Sequence, residues 1–249
     1  MKSMLLVGLL VFSTHVYAQK SVPVGTILPV RLDSSLSKKS KPGETIRARI
    51  MQDAPLGNGS KIPDGSEVKG HVVSVALGVD GKSSEITFEF DQLTDSHHTV
   101  HVMMDLRALA SPLEVDDAEL PDTGPDRGTP STAYTTTQIG ADEVVYRGGG
   151  HVMNASEIVG EPVPPNGVLV HVRPNLMEGC RGSVGDNQSP QALWLFASDA
   201  CGIYGYSDVR ILNSGRNVPR GQIVLKAERG NLNIRSGSGM LLRIIDLNK

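Results

Sequence analysis

The sequence predicts an all-β protein: a small β-barrel, a long Pro/Gly-rich excursion, and a second β region that carries a disulfide. Three observations predict it. Short runs of alternating apolar residues recur between Val22 and Leu106, with no amphipathic helix between them. The run Lys61-Ile-Pro-Asp-Gly-Ser-Glu-Val-Lys-Gly-His-Val-Val73 turns a short strand into a longer one at Pro63, Asp64 and Gly65, then interrupts it at Gly70. Glycine inside a strand marks a bulge, a tight bend or a close backbone approach, the devices that curve a sheet toward closure.

Lys2 precedes an apolar or glycine stretch from Met4 to Phe12, and Val16-Tyr-Ala18 places small or branched residues before Gln19. This is a signal-peptide layout with cleavage between Ala18 and Gln19, and it falls well short of the ~20 apolar residues that span a bilayer. The expected mature chain is exported, to the periplasm or beyond, with no transmembrane segment. Strands follow in order. Leu28, Val30 and Leu32 share one face; Pro42-Gly43 turns the chain; Ile46, Ala48 and Ile50 alternate; a Gly57-Asn-Gly59 loop leads to the Lys61–Val73 stretch. There Val68 and Val72 share one face, and Val73 and Val75 the other. Ile86, Phe88 and Phe90 alternate next, then Val100, Val102, Met104 and Leu106. These strands set residues 19–108 as the barrel domain.

From Leu109 to Gly150, Pro112, Pro121, Pro125 and Pro130 punctuate acidic, Gly- and Thr-rich sequence, which reads as a linker or excursion over 109–150. Gln138-Ile-Gly140 and Val144-Val-Tyr146 are candidates for a short strand. Residues 151–249 return to strands at Gly167–Arg173, Ala192–Ala197, Ser207–Leu212, Gln222–Ala227 and Ser238–Ile245. The last of these has two readings, a strand that closes the barrel or a strand of a separate C-terminal region. Closure is preferred.

Charge is nearly balanced, with 24 Lys and Arg against 27 Asp and Glu, and aromatics make up only 4%. No basic stripe or stacking platform is present, so nucleic acid is not an expected partner. In an exported chain Cys180 and Cys201 are expected to form a disulfide. Closing a loop of about 21 residues, it would contribute about 3 kcal/mol in the chain-entropy description.

Val22-Pro-Val-Gly-Thr-Ile-Leu28, Lys41-Pro-Gly43, Ile62-Pro-Asp-Gly-Ser66 and Gly70-His-Val72 together resemble a known strand pattern. It is that of the β-barrel domain in the outer-membrane-core subunit of type IV secretion and conjugation machines. Uncharacterised exported acidobacterial proteins with the same barrel are similar as well. The resemblance covers Val22–Leu106 and implies a barrel in which Gly25, Pro42, Gly43, Pro63, Gly65 and Gly70 shape turns and strand starts. The membrane anchor and the helical hairpin of the secretion subunit are not expected in this chain.

Candidate chemistry is sparse. His97-His98-x-x-His101 on a strand spreads its ends over about 13 Å, too far for one metal ion with bonds near 2 Å. Asp122-Thr-Gly124 matches one half of an aspartic-protease pair and lacks a second copy. Ser35-x-x-Lys38 has no helical setting, and Gly148-Gly-Gly150 has no following Lys-Ser/Thr. Glu114, Asp116, Asp117, Glu119, Asp122 and Asp126 fit no defined calcium loop. Trp194 and Phe196 lie in a strand apolar on both faces and read as core. His71 reads as a strand residue. No catalytic residue, metal site or cofactor is expected.

The expected function is a non-enzymatic, exported structural or interaction module of the bacterial cell envelope, with envelope proteins or a second copy as partners. The alternatives are an envelope hydrolase or carbohydrate-acting protein, with its site between residues 109–150 and the Cys180/Cys201 region, and a small-ligand carrier using the barrel mouth.

Overall fold

The computed structural model describes residues 22–56, 60–78, 83–95, 98–119, 133–140, 143–147, 151–154, 156–163, 167–171, 190–192, 195–196 and 200–246. The fold is nearly all β. Its first strands are β1 (Ile27–Leu32), β2 (Leu36–Ser37), β3 (Thr45–Ile50), β4 (Ala54–Leu56) and β5 (Ser60–Ile62). Then follow β6 (Glu67–Leu77), β7 (Ser84–Thr94), β8 (Thr99–His101) and β9 (Met103–Ala110), before a helix, α1 (Pro112–Glu119). Strands β10 (Ala133–Thr137), β11 (Glu143–Arg147), β12 (Val152–Asn154), β13 (Glu157–Val163), β14 (Gly167–His171) and β15 (Pro190–Ala192) form an antiparallel meander in that order. The chain ends with β16 (Gly202–Tyr204), β17 (Val209–Ser214), β18 (Ile223–Ala227), β19 (Asn233–Ile234) and β20 (Gly239–Asp246).

The main sheet runs β16-β9-β20-β1-β3-β6-β7-β18-β17, with β8 on β7. Its two ends approach each other, because β17 lies beside β16 and β9. The result is a nearly closed, barrel-like sheet built from both halves of the chain. The final strand β20 sits between β1 and β9, with Leu28 opposite Leu242 and Met104 opposite Ile244. Strands β16, β17 and β18 belong to this same sheet. Helix and meander leave it after β9 and return at β16.

Strict alternation produces the barrel interior. In β3, Ile46, Ala48 and Ile50 are buried while Thr45, Arg47 and Arg49 face water. They join Leu28, Val68, Phe88 and Leu242 in one contiguous apolar cluster, where Phe88 and Phe90 meet edge to face at 5.8 Å. At about 25 cal/mol per Å² of apolar surface, burial of this kind is the main term holding the sheet closed.

The wall formed by β9, β20 and β1 is buried on both faces. Outside the barrel, Ile27, Ala108, Ala110 and Leu241 form a second cluster with Val115 and Ala118 of α1, Ile139, Leu195 and Phe196. Gly239 permits this approach: a Cβ there would lie 2.8 Å from Val115 and 3.2 Å from Phe196. The helix starts on Ser111, whose hydroxyl accepts the Glu114 N–H, with Pro112 in the first turn. The 109–150 excursion is thus partly regular structure, and its helix was not among the expected elements.

The turns use their Pro and Gly residues as expected. Lys41-Pro-Gly-Glu44 closes with the Glu44 N–H donating to Lys41 O at 2.9 Å, and Gly43 has φ +81°. Pro63-Asp-Gly-Ser66 closes likewise at 3.2 Å, with Gly65 at φ +78°. Both fit type II turns, which need a positive φ at the third position. Gly25 has φ +93° just before β1.

Asp53 fastens the second turn from outside. Its carboxylate pairs with the Lys61 ammonium and accepts the Asp64 N–H at 3.0 Å. Burial pushes this carboxyl up, but Lys61 and the Asp64 N–H pull it down by more, so it lies below its ordinary value. A depressed carboxyl stabilises the fold fully above its unfolded value and loses that contribution as pH falls through the folded one. Asp53→Asn is therefore expected to cost at most about 1 kcal/mol at pH 6. Urea titrations should show the difference from wild type shrinking below about pH 4.

Candidate functional site

The Lys61–Val73 stretch was expected to shape the sheet, and it also builds the most chemically organised surface among the described residues. In β6, Gly70 is buried and lies opposite Phe90 of β7. The strands approach so closely that a Cβ on Gly70 would sit 1.9 Å from Glu89 O. The register shifts at this point: Lys69 pairs with Gln92 and Gly70 with Phe90, so Asp91 is the extra residue of a bulge. A second shift between Val72 and Ser74 adds to the coiling of the same pair.

His71 follows Gly70 and lies directly opposite Glu89. Alternation puts both on the outer face, together with Asp91 two residues beyond Glu89. His71 Nε2 is 3.1 Å from Glu89 Oε1, and Nδ1 is 3.1 Å from Asp91 Oδ2. The three side chains are about one-third exposed. A ring with both protons donates to both carboxylates. With one proton it donates to only one of them, and its lone pair faces the other carboxylate at 3.1 Å. His71 is a residue of strand β6, with a carboxylate beside each ring nitrogen. The signal was cross-strand: Lys69 and His71 on one outer face against Glu85, Glu89 and Asp91 on the next.

A second polar cluster is buried on the wall between β9 and β20. Asp105 and Arg243 are register partners. The guanidinium Nε donates to Asp105 Oδ1 at 3.1 Å, and an Nη donates to Oδ2, making a two-pronged pair with side chains 2% and 9% exposed. Arg107, itself 1% exposed, falls at the bulge in β9, and its charge and that of Arg216 also act on Asp105. Burial pushes the Asp105 carboxyl up, against the pull of Arg243. The β17–β18 connection lies over this wall, with the Cα side of Gly215 turned to Met104 O and Asp105, and Gly221 against Met103.

Other sequence candidates stay apart. His98 and His101 are exposed, and His98 lies 3.7 Å from Asp95; His97 is outside the described residues. Ser35 accepts the Ser236 N–H at 3.0 Å beside the short strand β2, not in a helix with Lys38. Asp116, Asp117 and Glu119 are exposed on α1, and Glu119 pairs with Arg31. Phe196 is fully buried, in keeping with a core role. Gly57–Gly59, Asp122–Gly124, Asp126, Gly148–Gly150, Cys180, Trp194, and the Ala18/Gln19 cleavage site fall outside the described residues. Cys201 is described and half-buried just before β16. No helix among the described residues is long and apolar enough to cross a membrane.

Comparison of the chain with protein-family profiles and with curated proteins found no match in either case.

Proposed function

We propose that the protein is a non-enzymatic, exported interaction module of the cell envelope, in which the barrel is a rigid body that docks other structure on its outer wall. One observation carries this reading. The barrel interior is filled by its own side chains, while the outer face of β1, β20 and β9 is apolar and receives α1, Ile139, Leu195 and Phe196. A filled interior serves rigidity, and an apolar outer wall serves docking. The polar groups lead the same way, since Asp53, Asp105 and Arg243 are engaged in fastening strands and turns. Export by the Met1–Ala18 leader, a Cys180–Cys201 disulfide and kinship with the secretion-machine barrel belong to this proposal. The partner is an envelope protein or a second copy.

Leu77 and Val218 are exposed large apolar residues, 62% and 88% accessible, at the end of β6 and in the β17–β18 connection. A photo-crosslinking residue at either position, in cells producing the full chain, is expected to trap the same envelope protein, or a second copy, repeatedly. Recovery of the monomer alone from both positions would count decisively against the reading.

A further inference from the structure

We propose that His71 and Glu89 form a binding site for a divalent first-row transition metal such as zinc or copper, with Asp91 as its positioning residue. The site does not depend on what the barrel docks with, and it stands on geometry among residues held by the β6–β7 pair.

The donor atoms of His71, Glu89 and Asp91 all lie within 4.8 Å of one another. Asp91 Oδ2, 3.1 Å from Nδ1, is placed to accept the Nδ1–H. With the proton on Nδ1 the lone pair is on Nε2, the arrangement in which a carboxylate orients a metal-binding imidazole. The Nε2 lone pair then faces Glu89 Oε1 at 3.1 Å. Two donors that far apart, each about 2.05 Å from one ion, subtend an angle of about 100° at it, which suits tetrahedral and octahedral coordination alike.

The backbone prepares the site. His71 and Glu89 are register partners on adjacent strands, so their Cα positions are fixed by the ladder. Asp91, two residues beyond Glu89 on the same face, reaches the ring beside the bulge at Gly70. The three side chains are about one-third exposed, which leaves room for water in the remaining coordination positions. One imidazole with one carboxylate suits a borderline metal. Calcium, which takes six to eight oxygens, is expected to bind far more weakly. Lys69 is engaged by Glu67 at 2.8 Å, so that nearby cation has its own carboxylate partner.

The test uses the full chain purified without a histidine tag. Isothermal titration with zinc is expected to give one site per chain. His71→Gln is expected to abolish it, Glu89→Gln to weaken it strongly, and Asp91→Asn to weaken it by about 10- to 100-fold. Electron paramagnetic resonance of the copper-loaded chain is expected to show one directly bonded nitrogen in wild type and none in His71→Gln. A His98→Ala/His101→Ala double variant should bind as wild type does. Because His71 is on the surface, the variants should fold, and circular dichroism of each checks this. The proposal is overturned if folded His71→Gln retains the wild-type affinity, if calcium competes equally with zinc, or if the wild type binds no zinc at millimolar concentration.

Discussion

Gly70→Ala is expected to cost about 4 kcal/mol or more, or to prevent folding altogether, although it adds only one methyl group. Ordinary β-propensity argues the other way, since alanine in a strand loses less backbone entropy than glycine. Contact distance decides between them. The new Cβ would stand 1.9 Å from Glu89 O and 2.8 Å from both Glu89 C and Phe90 Cα. All three are backbone atoms, so no side chain can swing aside; the strands must separate or lose the bulge. Either movement disturbs Phe90 and Val68 in the barrel interior and withdraws Asp91 from His71. Gly43→Ala is the control. Its Cβ meets nothing within 4 Å, so only the left-handed φ of +81° resists substitution, and the cost should be about 1 kcal/mol. Guanidinium denaturation of the two variants separates the effects. Equal midpoints would show that the close approach at Gly70 relaxes freely.

The same residue shows what was legible before the fold was seen. A glycine between Lys69 and His71 in an alternating run implied a bulge or close approach, and both occur there. Alternation was equally sufficient for β3 and β7, because each presents one face to the barrel interior. It was least informative for β9 and β20, whose residues are buried on both faces once α1 and Phe196 cover the outside. The helix itself was missed, although Ser111-Pro-Leu-Glu114 has the capping-box spacing with proline in the first turn. Its neighbours Pro121, Pro125 and Pro130 dominated the composition and concealed it. The His71 cluster depends on which residues of β6 and β7 the bulged ladder sets side by side, and the Asp105–Arg243 pair joins residues 138 apart in the chain. Neither leaves a local pattern, since each is set by register.

That pair is expected to be strongly asymmetric. Asp105→Asn should destabilise by about 3–5 kcal/mol, because it leaves the Arg243 guanidinium buried without a counter-charge. Arg107 and Arg216 worsen the loss, since their charges also act on Asp105. A guanidinium cannot shed its proton to escape. Arg243→Met should cost less, because the stranded carboxyl has an exit that the guanidinium lacks. Burial already pushes Asp105 up, and without Arg243 it rises further, so the folded state can take up a proton. A raised folded value means that the native state binds the proton more tightly than the unfolded chain. Stability of Arg243→Met should therefore be greatest below the unfolded carboxyl value of about 3.9 and fall as pH rises through the folded one. Denaturation at pH 5 and pH 7.5 is the measurement. Relative to wild type, Arg243→Met should recover at pH 5, and Asp105→Asn should not. The double variant should cost less than the two single losses together, because it removes both charges of one contact. An Asp105→Asn cost below about 1 kcal/mol would mean that the wall between β9 and β20 admits enough water to screen its arginines.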